Sequence, residues 1–388
     1  MKDTARAAVL VEPGRYEIQE LPIPELEDGS LLMQVEMSGI CGTDKHTYQG
    51  EVKQYAGTEA EMDTPFPIIQ GHENVGVISR ITKTAAESIE YYGQTLQEGD
   101  RIVMCPDIVC GRCFYCTHIH GLLWCEQMRS YGNSFSSATS PYLVGGWAEH
   151  IYLRPDSFVY KANPALSPRE LVLTEVFCIT SSLDKLKEVS TYSSEGFNSG
   201  DTVVILGVGP IGMLHLIKAR IMGAGDIIVT DKSEYRLKMA LEFGADVAMN
   251  VDQTSSEERI AKVRQMTSGR GADVALEMSN SPHAFVEGIE MLRRGGAMLE
   301  MGNFAETGEI SISPHRHICS KNIRLMGLTN HPITGYGPSM KLMEKYRDKY
   351  PFEKLVSHEF PLADVDKAMQ TAISPDSMKV VIKPNDPQ

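Results

Sequence analysis

The chain has 388 residues, 42% apolar and 23% charged, the balance of an ordinary soluble globular protein. That is more chain than one hydrophobic core usually serves, so two domains are expected. A formal net charge of −14 argues against nucleic acid or anionic lipid as the main partner, because phosphate binding needs a basic face.

No apolar run is long enough to span a bilayer. The opening stretch Met1–Leu10, followed by Glu12 and Pro13, reads as a first strand and not as a signal peptide. A cytosolic location is expected. The cysteines are Cys41, Cys105, Cys110, Cys113, Cys116, Cys125, Cys178 and Cys319. In a reducing compartment, clustered thiols more often mean metal binding or catalysis than disulfides.

Up to about residue 160 the pattern is short strands broken by turns. Leu31–Met37 and Asn74–Ile81 are β-like, and Gly99-Asp100 turns into Arg101–Met104. Such a series implies an irregular, largely antiparallel β domain. Residues 50–65 and 82–98 are polar and read as surface loops, the second with room for a short helix. Pro168 to Val189 reads as helix. Thr202–Leu206 is then a buried strand, and a helix follows from Gly209 to about Met222. Strand Asp226–Thr230, helix Glu234–Phe243 and strand Val247–Met249 come next, and Ala272–Glu277 and Ala297–Met301 continue the alternation. Strands alternating with helices imply a parallel sheet covered on both faces. After about residue 326 turns return, and the chain ends in a helix and a strand near Lys379–Ile382.

Gly207-Val208-Gly209-Pro210-Ile211-Gly212 follows the buried strand and opens a helix. A bare GxGxxG is weak; in this context it is a dinucleotide fingerprint. The first glycine permits the tight turn, the second admits a pyrophosphate, and the third lets helix and strand pack. Helix N-terminal amides bind the phosphates, and Pro210 suits the first turn, where its missing N–H costs little. Asp231 ends the second strand, where a carboxylate accepts hydrogen bonds from the adenosine ribose and repels a 2′-phosphate. NAD is expected over NADP, with Lys232 and Arg236 as nearby cations.

Cys110, Cys113, Cys116 and Cys125 form C-x2-C-x2-C-x8-C. Four thiolates in one loop suit a closed, structural zinc site; Cys105 lies outside the spacing and reads as core. A second set is dispersed. Cys41-Gly42-Thr43-Asp44-Lys45-His46 and Gly71-His72-Glu73 together offer thiolate, imidazole and carboxylate, a usual mixture for catalytic zinc.

On these motifs, in this order, the chain resembles the zinc-containing medium-chain alcohol dehydrogenases over nearly its whole length. It is most similar to the branch that includes sorbitol and threonine dehydrogenases. The resemblance implies an α/β protein: a Rossmann-type doubly wound parallel sheet plus a mainly β, GroES-like catalytic domain. The expected division is 1–180 for the catalytic domain, 181–325 for the NAD-binding domain, and 326–388 returning to the first. It implies two zinc ions and NAD. Cys41 and His72 would bind the catalytic zinc, with Glu175 in Leu173–Cys178 as third ligand, Cys178 as the alternative and Glu73 able to coordinate on occasion. Thr43 would accept the substrate proton and His46 would pass it to solvent. Gly302 and Asn303 would lie near the nicotinamide. The chain departs from the family pattern at Val176, where proline is usual, at Thr82, where Gly or Ala is usual, and in the x8 spacing, where x7 is usual.

The activity implied is hydride transfer between a secondary alcohol, a polyol or cyclic polyol foremost, and NAD. An amino alcohol such as threonine is the alternative substrate, and a catalytically silent NAD-binding protein the alternative function. A homodimer or homotetramer is expected.

Overall fold

Val203–Leu206 is four apolar residues in a row, each with almost no exposed surface. That is the signature of a strand covered on both faces. In the computed structural model, which describes residues 3–120, 122–188 and 196–385, this strand lies in the middle of a six-stranded sheet. The order is Val247–Asn250, Ile227–Asp231, Val203–Leu206, Ala272–Glu277, Leu292–Glu300 and Arg324–Gly327, and every pairing is parallel. In chain order this is 3-2-1-4-5-6, the Rossmann arrangement. The order reverses beside Val203–Leu206, so its carboxyl end is the switch point at which such sheets bind ligands.

The helices of this unit carry local start signals. Pro210 opens Pro210–Ile221 from an N-cap at Gly209. The Ser233 side chain caps Glu234–Glu242, and Ser255 with Glu258 forms a capping box on Ser256–Met266, each worth about 1 kcal/mol. Pro282–Met291 packs Ile289 and Met291 into the core with Val204, Leu206, Ala275 and Met298.

The chain divides into two compact units, one of Met1–Cys178 with Pro332–Gln388 and one of Ile179–His331. The first unit is mainly β. Its largest sheet runs Val159–Lys161, Arg101–Met104, Glu73–Ile81, Leu31–Gly39, Lys379–Lys383 and Val356–Pro361, with His150–Leu153 also paired to Leu31–Gly39. A three-stranded sheet joins Arg15–Pro22, Thr4–Glu12 and Ile68–Ile69. Pairing of Lys379–Lys383 with Leu31–Gly39, in register Val381 to Gly39, ties the C-terminal segment into this unit. The α/β class, the parallel Rossmann-type sheet and the β-rich partner unit are as the sequence implies.

The long helix expected over Pro168–Val189 is instead three short ones, Pro168–Leu171, Thr174–Ile179 and Ser182–Glu188; Val189 lies outside the described residues. Thr174, Thr180, Ser181 and Ser182 crowd the breaks, and such side chains compete for backbone hydrogen bonds. The two polar loops hold structure. Lys53–Gln54 pairs with Met62–Asp63 as a small hairpin, and Lys83–Ser88 is a helix. Thr82 is the N-cap of that helix, accepting from Ala85 N at 3.3 Å while its hydroxyl donates to Ser30 O at 3.1 Å. That accounts for threonine where the family pattern has a small residue.

Candidate active site

The helix Gly42–Tyr48 starts directly after Cys41. Asp44, in its first turn, accepts from the Cys41 backbone N–H at 2.8 Å and from the Gly71 N–H at 3.4 Å. One buried carboxylate thereby joins the two motifs that lie 31 positions apart in Cys41 and His72. Gln70 Nε2 adds a bond to the Asp44 carbonyl at 3.0 Å. His72 Nδ1 lies 3.6 Å from Asp44 Oδ1 and 3.5 Å from Asn133 Nδ2. At 3.6 Å the imidazole and the Asp44 carboxylate are an electrostatic pair, longer than a hydrogen bond. Burial works against the imidazolium, but Asp44 and Cys41 outweigh it and hold His72 well above its ordinary value.

Ligand atoms of Cys41, His72 and Glu73 all lie within 4.8 Å of one another. A thiol, an imidazole and a carboxylate, the last two buried and Cys41 half-buried, are the donor types that zinc takes in catalytic sites, so the residues fit the metal the sequence implies. Glu73 has a further partner. Lys379 Nζ donates to both of its oxygens, at 2.6 Å each, and to the Ile40 carbonyl at 3.3 Å. Glu73 is seated there because position 39 is glycine; a Cβ at Gly39 would fall 1.8 Å from Glu73 Oε2. Burial opposes the Lys379 charge, but Glu73 outweighs it and holds the ammonium above its ordinary value.

Glu175 is buried in the first turn of Thr174–Ile179. It is not in the close set of three, but its charge acts on both His72 and Lys379. Cys178 is buried on the same helix, its thiol donating to the Pro332 carbonyl at 3.1 Å. Thr43 and His46 share the helix Gly42–Tyr48 at i and i+3, one face of it. His46 Nδ1 lies 2.6 Å from Glu51 Oε1.

The four-cysteine lobe closes on itself. Sγ atoms of Cys110, Cys113, Cys116 and Cys125 lie within 4.8 Å of one another. Backbone N–H groups point at the sulfurs, Cys110 N to Cys125 Sγ at 3.2 Å and Cys113 N to Cys110 Sγ at 3.3 Å. The amides of Cys116 and Glu126 hold the Cys113 thiol down at about 6, while burial and its thiol neighbours push Cys116 up to about 12. Four sulfurs at this spacing fit a tetrahedral structural zinc with no open position. Cys105 is buried, as a core residue would be.

In the other unit the glycine turn has the form its motif requires. Gly207 adopts φ +93°, and a Cβ there would meet Met278 O at 2.8 Å. A Cβ at Gly212 would lie 2.0 Å from Gly207 O, so only glycine lets the helix sit on the turn. At Gly209 the nearest atom to such a Cβ is Arg236 Nη1, at 3.7 Å, which leaves the backbone approachable beside a cation. Asp231 accepts from Val208 N and Ser233 N, at 2.9 Å each; its carboxylate ties the second strand to the glycine turn. Pro210, Ile211 and Gly212 form the first helical turn and Lys232 follows Asp231.

Gly302 and Asn303 sit beside a carboxylate pair that sequence reading does not single out. Glu277 and Glu300 face each other in register at the carboxyl ends of neighbouring strands. Asn303 Nδ2 donates to both, at 3.2 and 2.9 Å. Burial first, then the Glu300 charge, pushes the Glu277 carboxyl up to about 8. Two further residues of the site escape sequence reasoning: Asp44, whose signal lies in the Cys-Gly-Thr-Asp turn, and Lys379, which is 306 positions from Glu73 and has no local signal.

Family profiles match both units: the alcohol dehydrogenase GroES-like domain over residues 27–164 and the zinc-binding dehydrogenase domain over residues 210–343. The chain is 31% identical to 5-exo-hydroxycamphor dehydrogenase of Pseudomonas putida, over 97% of this chain and 98% of that one. It is 29% identical to sorbitol dehydrogenase of Halalkalibacterium halodurans, over 96% and 97%. An alcohol dehydrogenase structure from Thermotoga maritima superposes with a TM-score of 0.87 at 30% identity, covering 98% of this chain and all of the other. No helix among the described residues is long and apolar enough to cross a membrane. With the donor sets and the Rossmann-type sheet, these likenesses place the chain in the zinc-binding medium-chain alcohol dehydrogenase family, whose members are oxidoreductases.

Proposed function

We propose that this protein oxidises a secondary alcohol with NAD, a polyol or cyclic polyol being the favoured substrate class. The observation that carries the reading is the convergence of half-buried Cys41 with buried His72 and Glu73, their ligand atoms within 4.8 Å of one another. The hydroxycamphor and sorbitol dehydrogenases named above support a secondary alcohol, ring-borne in one case and polyol in the other. Asp231 at the end of its strand supports NAD, because a carboxylate there repels a 2′-phosphate.

Cys41 and His72 would hold the catalytic zinc, with Glu175 as the third ligand; the lobe cysteines would hold the structural one. The catalytic zinc supplies Lewis acidity that makes a substrate hydroxyl acidic, and NAD supplies the hydride acceptor. Asp44 keeps the His72 ring turned to its task. Thr43 takes the substrate proton and His46 carries it outward. Gly207, Gly209 and Gly212 admit the pyrophosphate to the helix N-terminus, and Asp231 receives the ribose. Gly302 and Asn303 border the nicotinamide.

The test is NADH formation by zinc-loaded protein with sorbitol, inositol, cyclohexanol, 2-butanol and threonine, with NADP in parallel. Turnover of a secondary alcohol with NAD is the expected result. Threonine alone turning over would move the substrate to the amino alcohols. Silence across the panel, with zinc and NAD both bound, would sink the proposal in favour of a silent NAD-binding protein.

A further inference from the structure

The segment that follows Tyr48 contains no motif, yet it is folded back onto the active-site helix. Gln49 N bonds to Lys45 O at 3.0 Å, Gly50 N to Thr47 O at 3.3 Å and Glu51 N to His46 O at 3.0 Å. Gly50 makes this reversal at φ +107°, a conformation that favours glycine. Beyond it the chain forms the hairpin Lys53–Gln54 with Met62–Asp63, closed by Thr64 N to Val52 O at 2.8 Å and by Lys53 Nζ to Glu61 Oε1 at 2.6 Å. Glu51 therefore stands at the stem of a hairpin and is anchored on both sides. Its Oε1 lies 2.6 Å from His46 Nδ1.

A carboxylate can only accept, so the hydrogen between these atoms belongs to Nδ1. A neutral imidazole that donates from Nδ1 has its lone pair on Nε2. We propose that Glu51 is a positioning residue for proton exit: it fixes the tautomer and the ring orientation of His46, so that Nε2 is the proton acceptor. This rests on the Thr43–His46 relay proposed above. The proton leaves the substrate hydroxyl, Thr43 passes its own hydroxyl proton to Nε2 as it takes the substrate's, and Nε2 releases it to water or a buffer base. His46 Nδ1 keeps its hydrogen and goes on donating it to Glu51 throughout, and no other bond changes in the relay.

A merely structural pair makes a different prediction. A contact near the surface contributes about 0–1 kcal/mol even when both groups are charged, so Glu51→Gln should fold with a melting temperature close to that of the parent. The experiment measures single-turnover NADH formation in weak buffer, with the fastest alcohol of the panel above, for the parent, Glu51→Gln, Glu51→Ala and His46→Gln. In parallel, 15N NMR reads the tautomer of His46. The parent is expected to show the Nδ1–H form. Both Glu51 variants are expected to mix the two tautomers and to be slower by about tenfold, below the ~100-fold lower range for loss of a general base. Their rate should return with added imidazole and with rising pH, since other bases then take the proton, and NAD affinity should be unchanged. Parent-like rates in the Glu51 variants beside a slow His46→Gln would overturn the role of Glu51 alone. Slow variants that imidazole does not rescue would overturn it too, in favour of a structural pair. Full turnover in His46→Gln would remove the relay itself, and the role of Glu51 with it.

Discussion

Lys379 Nζ lies 2.6 Å from each carboxylate oxygen of Glu73, with 3% and 0% of the two side chains exposed. The strand that carries Lys379 enters the sheet beside Leu31–Gly39, so the C-terminal segment delivers a cation to the corner where Cys41 and His72 meet. Removing one partner of a buried pair leaves an uncompensated charge. Lys379→Met should therefore lower stability by about 3–5 kcal/mol, measured by urea unfolding. Adding Glu73→Gln should recover part of that loss. Equal losses from the single and the double variant would mean that the pair contributes nothing as a pair.

Cys41→Ser should abolish turnover while leaving NAD binding intact, because Cys41 and the glycine turn belong to different units. Zinc content and NAD affinity are read beside activity. Retained turnover refutes the ligand role.

The lobe thiols make the opposite prediction. Cys113→Ser should lower the melting temperature more than it lowers turnover, since a closed zinc site would contribute folding free energy. An unchanged melting curve after complete metal removal would count against a structural zinc.

Asp231→Ala should weaken NAD by about 10–100-fold, the value of a charge-assisted hydrogen bond or two, and NADP by less. The same carboxylate holds Val208 N and Ser233 N, so Asp231→Asn serves as the control that keeps one acceptor for the turn. Equal weakening of both cofactors by isothermal titration would remove the ribose assignment.

The Glu277–Glu300 pair should make the unit Ile179–His331 sensitive to alkali. The folded-state value of Glu277, about 8, lies above the 4.5 of an ordinary glutamate, so the folded chain holds that proton more tightly than the unfolded chain does. Its contribution to stability is full below the ordinary value and is lost as pH rises through about 8. Glu300→Gln removes the facing charge. Relative to the parent it should gain about 1–3 kcal/mol at pH 8.5 and much less at pH 5.5. An identical difference at both pH values would exclude a shared proton.

Much of this molecule is legible in its sequence alone. The strand–turn–helix with its three glycines, the four cysteines in one loop and the Cys-Gly-Thr-Asp and Gly-His-Glu motifs are local patterns. Each is set by residues a few positions apart, and the hydrophobic rhythm around residue 200 announces a parallel sheet. Physics at that range acts through backbone torsion, turn geometry and helix periodicity, which sequence displays directly. Tertiary structure alone decided the rest. It brought Lys379 to Glu73, laid Asp44 between Cys41 and His72 and set Glu277 opposite Glu300. These depend on sheet register, chain return and burial, which sum over distant segments, and a buried charge chooses its partner only once the core around it has closed.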